Sequence, residues 1–509
     1  MIRRFVLVLA AIGVCIAAGS PARADWRRAE SPRFIVYSSG PEGALRDYVQ
    51  KLESYDRALR LQMGADPDAA TVRKLPIYLL PNRESLKVLR PDMQRDVAGF
   101  YTASEEDIYA VADVSGAGDF VLLHEYAHHF MLQNFAGGYP GWFVEGFADY
   151  YATADISGDR VMLGRASEWR VRSLQGGART PLDQLLSKSP TEITDWRERP
   201  AYYPTAWLLT HYFFSDDTRR DQLSAYLADV GRGGNPVEAM PRATGMSLED
   251  LDRALTRHLN SRMPYFRLGA DFPRQQISVE RLGPSADALL LINQRLKSPI
   301  DEEDRPAVVA EIRELARPFG DDPLALVAVG HAELHFGDRA AGEASLRRLL
   351  ETDPDNVEAL QLLASGRIMA AREDGADVDA MMAEAQTYLM RAFRADPSDF
   401  TTLVLGLQTR VDAPGYPTPG DLGTWVQAYR LAPQLASVRI GAGQALLFRD
   451  RDAEGLALLS AVASNPHGGA SAEYARKMIE DAKAGVEVTD PTAAEGLNDD
   501  EPETPQPGE

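Results

Sequence analysis

Two histidines and a glutamate form the segment of this 509-residue chain whose spacing suits metal chemistry. The segment His124-Glu-Tyr-Ala-His128 has the pattern H-E-x-x-H and lies in a predicted helix that we expect Asp119 to cap. Residues four apart lie one turn up the same face of a helix, so both imidazoles can reach one metal ion. Glu125 stands beside them and can contact a metal-bound water without being a ligand. Because the chain has only eight histidines, chance gives this motif in roughly one such sequence in a hundred.

The next predicted helix, over residues 142–154, offers a third ligand for such an ion. Glu145 lies early in that helix, and Asp149 follows one turn later on the same face. Glu145 can bind the metal while Asp149 accepts the N–H of a ligand histidine and fixes the tautomer of its ring. We expect the small Gly146 to let this helix pack closely against the motif helix. The alternative is a structural role, in which Glu145 pairs with an arginine and the histidines are core residues.

The combination H-E-x-x-H…E-x-x-x-D resembles the gluzincin metallopeptidases, the thermolysin-like group, and specifically the E-G-x-A form of peptidase-MA-like domains. This resemblance implies an α+β zincin-like metallopeptidase domain with Zn²⁺ as its cofactor. It also implies that the zinc ligands are His124, His128 and Glu145, that the catalytic base is Glu125, and that Asp149 contacts a ligand histidine.

Hydrolysis at such a site also needs a group that stabilises the oxyanion. Related domains often carry a tyrosine four residues before an aromatic residue, which maps onto Tyr203 and Trp207. By this resemblance Tyr203 is the catalytic candidate, with Tyr202 and His211 as alternatives and aromatic packing as the non-catalytic interpretation. The resemblance covers mainly residues 119–154. The G-x-M-x-N exopeptidase motif is absent before the zinc helix, which favours an endopeptidase.

The residues before the motif predict a mixed α/β scaffold. Apolar runs at 34–37 and 76–80 predict strands, and the stretch 41–63 predicts a helix. Segments 99–102 and 108–112 flank a polar turn and predict a hairpin. We expect strand 108–112 to bind a substrate strand by edge pairing, which gives sequence-tolerant binding.

These patterns predict a zincin-like domain over residues 25–265 and a linker over 266–284. Residues 285–484 are rich in alanine and leucine with helical periodicity. Their prolines are spaced by 43, 36 and 33 residues, which resembles the 34-residue period of tetratricopeptide repeats; they are Pro354, Pro397, Pro433 and Pro466. An all-α repeat domain of this kind would present a concave surface to a protein partner or to substrate. The alternative is a plain helical bundle.

The two ends of the chain have compositions unlike the rest. A basic start and an apolar run over 5–18 precede Ala22-Arg23-Ala24, which predicts a secretory signal peptide over residues 1–24. This segment contains the single cysteine, so a disulfide framework is excluded. Residues 485–509 hold eight acids and no bases, which predicts a disordered acidic tail.

Net charge and hydropathy exclude some classes of function. A formal charge of −21 argues against nucleic-acid binding, which needs a basic face. We expect no stable membrane span after signal cleavage, because no other segment is long and apolar enough. The sequence therefore predicts an exported protein, periplasmic or secreted, that hydrolyses a protein or peptide substrate. Two alternatives stay open: a repeat scaffold with a structural or silent zinc domain, and hydrolysis of a non-peptide amide by the same residues.

Overall fold

A computed structural model of the chain describes residues 25–486, except for 94–96, 115–117, 136, 159, 178, 191, 194–198, 270–271, 374 and 466–467. The predicted signal peptide 1–24, Pro466 and residues 487–509 of the predicted tail lie outside the described residues. The N-terminal part mixes strands with helices, and the C-terminal part is built from helices. The coarse prediction of an α+β region followed by an all-α region is therefore confirmed.

The described strands form one six-stranded and one three-stranded sheet. Their bounds are β1 (Arg27–Glu30), β2 (Phe34–Ser38), β3 (Leu75–Leu80), β4 (Gly99–Ala103), β5 (Ile108–Asp113), β6 (Asp155–Ser157), β7 (Arg160–Leu163), β8 (Phe266–Leu268) and β9 (Ser278–Arg281). The larger sheet has the order β4-β5-β3-β2-β1-β9, and the smaller has the order β6-β7-β8. Among the described strands, only the pairs β2–β3 and β3–β5 are parallel.

The position of β5 differs from the expectation that strand 108–112 offers a free edge. Ala110 of β5 stands opposite Ile77 of β3 on one side and Tyr101 of β4 on the other. All six residues of β5 are buried, as is typical of a strand inside a sheet that is covered on both faces. The hairpin turn folds β4 onto the outer side of β5, so β4 is the edge strand. The prediction of edge pairing by 108–112 is therefore wrong.

The helices of the N-terminal part pack around these sheets. Their bounds are α1 (Glu42–Met63), α2 (Leu86–Leu89), α3 (Gly118–Asn134), α4 (Gly141–Ala152), α5 (Glu168–Gln175), α6 (Leu182–Ser187), α7 (Arg199–Phe214), α8 (Asp217–Gly231), α9 (Pro236–Thr244) and α10 (Leu248–Leu259), with a 3-10 turn at Arg83–Ser85. Asp119 lies inside α3 rather than at its cap. Its carboxylate instead contacts Lys51 Nζ at 2.6 Å and the Tyr48 hydroxyl at 3.1 Å, so α1 and the start of α3 are joined.

The segment 266–284, expected to be a linker, contributes two strands to the N-terminal part. β8 completes the smaller sheet by pairing with β7. β9 lies at the far edge of the larger sheet, with Val279 opposite Ala29 of β1. The N-terminal part therefore extends to β9, beyond the boundary expected at residue 265.

The helices of the C-terminal part follow one another in pairs. Their bounds are α11 (Ala286–Arg295), α12 (Arg305–Ala316), α13 (Pro323–Phe336), α14 (Arg339–Thr352), α15 (Val357–Ala371), α16 (Val378–Ala395), α17 (Phe400–Gln408), α18 (Pro419–Leu431), α19 (Ala436–Phe448), α20 (Asp452–Ala463) and α21 (Gly469–Lys483), with a 3-10 turn at Arg317–Phe319. Pro354, Pro397 and Pro433 each come two residues after a helix ends, and the next helix begins three residues later. Proline cannot continue a helix, which explains why it marks these turns. Membership of the tetratricopeptide family stays a prediction.

The two parts of the chain share one hydrophobic core. Phe400 and Leu403 of α17, Leu431 of α18 and Val438 of α19 belong to the same buried cluster as the apolar residues of α1, α3, α4 and α7. The C-terminal helices therefore pack directly on the part that carries the predicted metal site. Among the described residues, every helix is too short or too polar to cross a membrane.

Candidate metal centre

The motif helix α3 is fixed at the centre of the N-terminal part. On the face toward α1, the Tyr126 hydroxyl donates to Asp56 at 2.7 Å, and the Tyr55 hydroxyl donates to the Leu123 carbonyl at 3.1 Å. The motif side chains are also buried, with exposed fractions of 2%, 3% and 7% for His124, Glu125 and His128. The sequence of α3 thus positions all three predicted residues in the interior.

The following helix, α4, contributes Glu145 and Asp149, which are each 1% exposed. Gly146 lies between them and faces α7, because a Cβ there would come within 2.2 Å of Thr210 Oγ1 and 2.5 Å of the Ala206 carbonyl oxygen. The close approach that glycine permits is therefore between α4 and α7. The expectation that Gly146 faces the motif helix is wrong.

Three predicted ligands converge from the two helices. His124 Nε2 lies 3.0 Å from His128 Nε2 and 3.6 Å from Glu145 Oε2, and the third separation, from His128 Nε2 to Glu145 Oε2, is 3.8 Å. Ligand atoms around a tetrahedral zinc ion with bonds of about 2.0–2.1 Å are about 3.3 Å apart. Two imidazole nitrogens and one carboxylate oxygen are also a donor set that zinc prefers. The residues therefore fit a zinc ion that keeps one coordination position open.

Asp149 orients the first of these ligands. His124 Nδ1 lies 3.0 Å from Asp149 Oδ1, on the opposite side of the ring from the converging Nε2 atoms. Burial alone would lower the pKa of His124, but its contacts with Asp149 and Glu145 outweigh burial and raise the pKa to about 10. The contact of Asp149 Oδ1 with Nδ1 favours a proton on that nitrogen, which leaves Nε2 directed toward the other two proposed ligands.

An arginine that the sequence motif does not predict supports the site through Asp149. Arg170 of α5 is 4% exposed, and its Nη2 lies 2.6 Å from Asp149 Oδ2. Its guanidinium also stacks on the neighbouring Trp169 ring, with 3.6 Å between the guanidinium carbon and the ring centroid. No spacing rule relates Arg170 to the motif, because the contact is made by folding of a separate helix. The contact of this buried arginine with Asp149 is therefore visible only in the three-dimensional structure.

The three candidates for the oxyanion group lie in different surroundings. The Tyr202 hydroxyl donates to the Lys188 carbonyl at 3.0 Å, which is a structural bond to the end of α6. His211 contacts the Gly164 carbonyl at 3.1 Å through Nε2 and His258 at 3.0 Å through Nδ1. Both alternatives are therefore engaged in contacts with other groups. Tyr203 lies beside Arg170, with the guanidinium carbon 5.8 Å from its ring centroid, and its catalytic role stays a prediction.

The connection between α3 and α4 is held by the C-terminal helices. Arg439 of α19 donates to the Leu132 carbonyl at 3.4 Å, near the end of the motif helix. In the loop that follows, a Cβ at Gly138 would lie 2.9 Å from Ser464 Oγ and 3.0 Å from the Ser460 carbonyl oxygen. The loop between the predicted histidine ligands and Glu145 therefore packs tightly against the end of α20.

The edge strand β4 also approaches the motif helix. The Tyr101 hydroxyl lies 3.1 Å from His129 Nδ1, and Gln434, just before α19, interacts with the same tyrosine. Burial lowers the pKa of His129 to about 3, so this ring is neutral at physiological pH. His129 therefore packs between the motif helix and β4 through its contact with Tyr101.

Comparison of the chain with known proteins finds no matching family model, no matching curated protein and no matching solved structure. The assignment of the site therefore rests on the residues themselves and on their geometry. Among the described residues, the group of His124, His128 and Glu145 is the one whose ligand atoms all lie within 4.8 Å of one another.

Proposed function

We propose that the protein is an exported zinc-dependent peptidase, acting as an endopeptidase, with Glu125 as its general base. The observation that carries the proposal is the convergence of His124, His128 and Glu145 in a buried site, with Glu125 next to the first ligand. This donor set leaves a coordination position open, which is typical of catalytic rather than structural zinc. A structural zinc site usually has four protein ligands.

The roles of the side chains follow from their positions. Zinc, when bound, supplies a Lewis acid for the carbonyl and lowers the pKa of the attacking water. Glu125 takes the proton from that water and gives it to the leaving nitrogen. Asp149 keeps the proton of His124 on Nδ1, so that Nε2 stays a ligand. Tyr203 is proposed to donate to the oxyanion from the side of α7.

The proposed substrate is an extended peptide that adds a strand to β4. No described strand pairs with the outer side of β4, which is the edge strand of the larger sheet. Backbone hydrogen bonds would bind peptides with little dependence on their side chains. Tyr101 of β4 contacts the motif helix through His129, which links the proposed binding strand to the site.

The decisive experiment compares Glu125→Gln with the wild type in zinc content and in cleavage of an unbiased peptide library. The substitution keeps the size and shape of the side chain and removes its charge and its basicity. Cleavage should fall by about 10²–10⁴ while zinc stays bound at about one per chain. The matched control is Glu249→Gln on the surface of α10, where the glutamate side chain is 81% exposed, and it should change neither quantity.

The outcomes separate the proposal from its alternatives. Unchanged cleavage in Glu125→Gln would remove the proposed mechanism. Zinc binding without cleavage of any peptide by the wild type would favour the scaffold interpretation, in which the C-terminal helices bind a partner. Cleavage of amide compounds other than peptides would leave the proposed roles of the residues unchanged but would change the proposed substrate class.

A further inference from the structure

The turn between β4 and β5 extends toward the C-terminal helices. It comprises residues 104–107 and is closed by a hydrogen bond from the Ser104 amide to the Asp107 carbonyl at 2.9 Å. Cavities of about 340 Å³ and 320 Å³ lie beside the turn, and Glu105 and Glu106 line both of them. Protein interiors are normally close-packed, with few voids of this size. The position of the turn therefore depends on a small number of specific contacts.

Helix α17 makes the first of these contacts. The Thr401 hydroxyl donates to the Glu105 carbonyl at 3.0 Å. At the other end of the same helix, Gln408 Nε2 lies 3.5 Å from the Glu105 carboxylate. Residues seven apart lie two turns apart on one face of a helix, so α17 runs along the turn with a single face.

The carboxylate of Asp107, at the end of the turn, is held by side chains from outside the hairpin. Asp107 Oδ2 accepts from Gln294 Nε2 of α11 at 3.0 Å and lies 3.3 Å from Lys297 Nζ. Asp107 Oδ1 lies 2.8 Å from Arg73 Nη2. The guanidinium carbon of Arg73 in turn lies 4.9 Å from the centre of the Phe400 ring in α17. Elements of both parts of the chain therefore fix the same end of the hairpin.

A further contact reaches β4 itself. Gln434, just before α19, interacts with Tyr101 in the middle of the strand. The strand pairs with β5 on one side only, and no described strand pairs with its other side. The C-terminal helices therefore contact β4 at Tyr101 and contact the turn that follows it. These are the contacts that can set the direction of the strand beyond its pairing with β5.

We propose that the C-terminal helices position β4 for peptide binding, and that Thr401 is a positioning residue for this strand. The inference rests on the proposed function, in which an extended substrate pairs with β4. Such a peptide forms hydrogen bonds with several consecutive residues of the strand, so a small displacement of β4 weakens all of them together. Because the turn is not close-packed, loss of the Thr401 hydrogen bond should let β4 move without unfolding the protein.

Peptide binding by the full-length Glu125→Gln variant tests this role without turnover. The probe is a fluorescein-labelled, acetylated decapeptide of alternating alanine and threonine, whose β-branched residues favour an extended backbone. Fluorescence anisotropy measures its affinity. Adding Thr401→Val removes the hydroxyl and keeps the shape of the side chain, and it should weaken binding about fivefold, as expected for one hydrogen bond.

Two matched variants in the same background control this measurement. Thr401→Ser keeps the hydroxyl and should bind the peptide as tightly as the parent protein. Thr387→Val removes an exposed hydroxyl on α16 that donates to the Ala383 carbonyl of its own helix, and it should leave the affinity unchanged.

Hydrogen–deuterium exchange separates positioning from a general loss of stability. In Thr401→Val, the amides of residues 99–103 should exchange faster than in the wild type, while those of α1 and the melting temperature should stay unchanged. With Glu125 intact, KM for a cleaved peptide should rise about fivefold at constant kcat, because substrate and transition state bind the same strand. A purely structural role of Thr401 would instead lower the melting temperature and leave peptide affinity unchanged.

The outcomes distinguish this inference from the proposed function. Cleavage by the wild type, with equal peptide affinity before and after Thr401→Val, would overturn the positioning role and leave the peptidase. Weaker binding in Thr401→Val, without cleavage of any peptide by the wild type, would overturn the peptidase and support the positioning role. Absence of peptide binding by Glu125→Gln, or a loss of affinity that Thr401→Ser shares, would also overturn the inference.

Discussion

Arg170 and Asp149 form a buried ion pair, with 2.6 Å between Arg170 Nη2 and Asp149 Oδ2. The other oxygen of Asp149 faces His124 Nδ1 at 3.0 Å, so the arginine, the aspartate and the proposed ligand form one chain of contacts. Arg170 thus compensates the charge of a carboxylate that is 1% exposed. The relation makes α5 part of the support of the proposed metal centre.

Arg170→Met should weaken both the fold and the site. Removing one partner of a buried pair leaves an uncompensated charge, which costs about 3–5 kcal/mol of unfolding free energy. Zinc affinity should also fall by about tenfold or more, because Asp149 loses its fixed position. Denaturant unfolding and competition with a zinc chelator measure the two effects. Arg172→Met on the same helix is the control, because the Arg172 side chain is 75% exposed. The unfolding free energy of this variant should stay within about 0.5 kcal/mol of the wild-type value.

Glu145→Ala should weaken zinc binding sharply, because it removes one of three proposed protein ligands. Asp149→Ala should weaken it by about 10–100-fold, since it removes only the contact that orients His124. Chelator competition on the purified variants gives both affinities. Glu168→Ala, at a side chain that is 92% exposed, is the control for loss of a surface carboxylate. Wild-type zinc affinity in Glu145→Ala would mean that the proposed ligand set is wrong.

Gly146→Ala should destabilise the protein by about 1–3 kcal/mol through overpacking. The added methyl group would meet Thr210 Oγ1 and the Ala206 carbonyl oxygen, and the carbonyl belongs to the backbone, so it cannot move without shifting α7. Because Glu145 precedes Gly146, the shift should also lower zinc affinity. Gly43→Ala is the control, because a Cβ there meets nothing within 4 Å and α1 should tolerate or prefer the alanine. Equal stability of the wild type and Gly146→Ala would contradict the tight contact of α4 with α7.

Asp107 should make stability depend on pH in the acid range. Burial alone would raise the pKa of Asp107, but Lys297 and Arg73 outweigh it and lower the pKa to about 2. A carboxyl whose pKa is lower in the folded state stabilises the fold above its ordinary pKa of 3.8, and this contribution is lost as pH falls toward 2. This lowering of the pKa of Asp107 contributes about 2 kcal/mol to the free energy of unfolding at neutral pH.

Unfolding of Asp107→Asn at several pH values checks this contribution. The wild type should be more stable than the variant at pH 7, and the difference should shrink between about pH 4 and pH 2. Asp379→Asn, at an exposed position at the start of α16, is the control and should follow the wild-type profile. A constant difference between Asp107→Asn and the wild type across this range would exclude the proposed origin of the effect.

Local sequence patterns predicted the elements that carry the candidate site to within a few residues. The apolar runs at 34–37 and 76–80 correspond to β2 and β3, and the stretch 41–63 corresponds to α1. The helical spacing around the motif likewise corresponds to α3. These predictions succeed because hydrophobic periodicity and turn residues are local properties of the sequence, which do not depend on contacts with distant segments.

Features that depend on distant pairing could not be predicted in this way. The interior position of β5 follows from its pairing with β4 on the outer side. The strand at Ser278–Arg281 forms by pairing with β1, which is distant in sequence. The role of Arg170 depends on α5 reaching the back of α4. Short strands and single buried ion pairs carry no periodic signal, since tertiary contacts decide them.

Unfolding of the two parts of the chain should be cooperative, because they share a hydrophobic core and because Arg439 contacts the Leu132 carbonyl. Two independently folding domains would melt in two steps, and a fragment that ends after β9 would keep its fold. Here the apolar side chains of α17, α18 and α19 fill the same core as those of α3 and α4. Calorimetry should therefore give a single unfolding transition for both parts, and limited proteolysis should not release a stable N-terminal fragment. The part with the proposed ligands is thus not an exchangeable module, because we expect it to fold only together with the C-terminal helices.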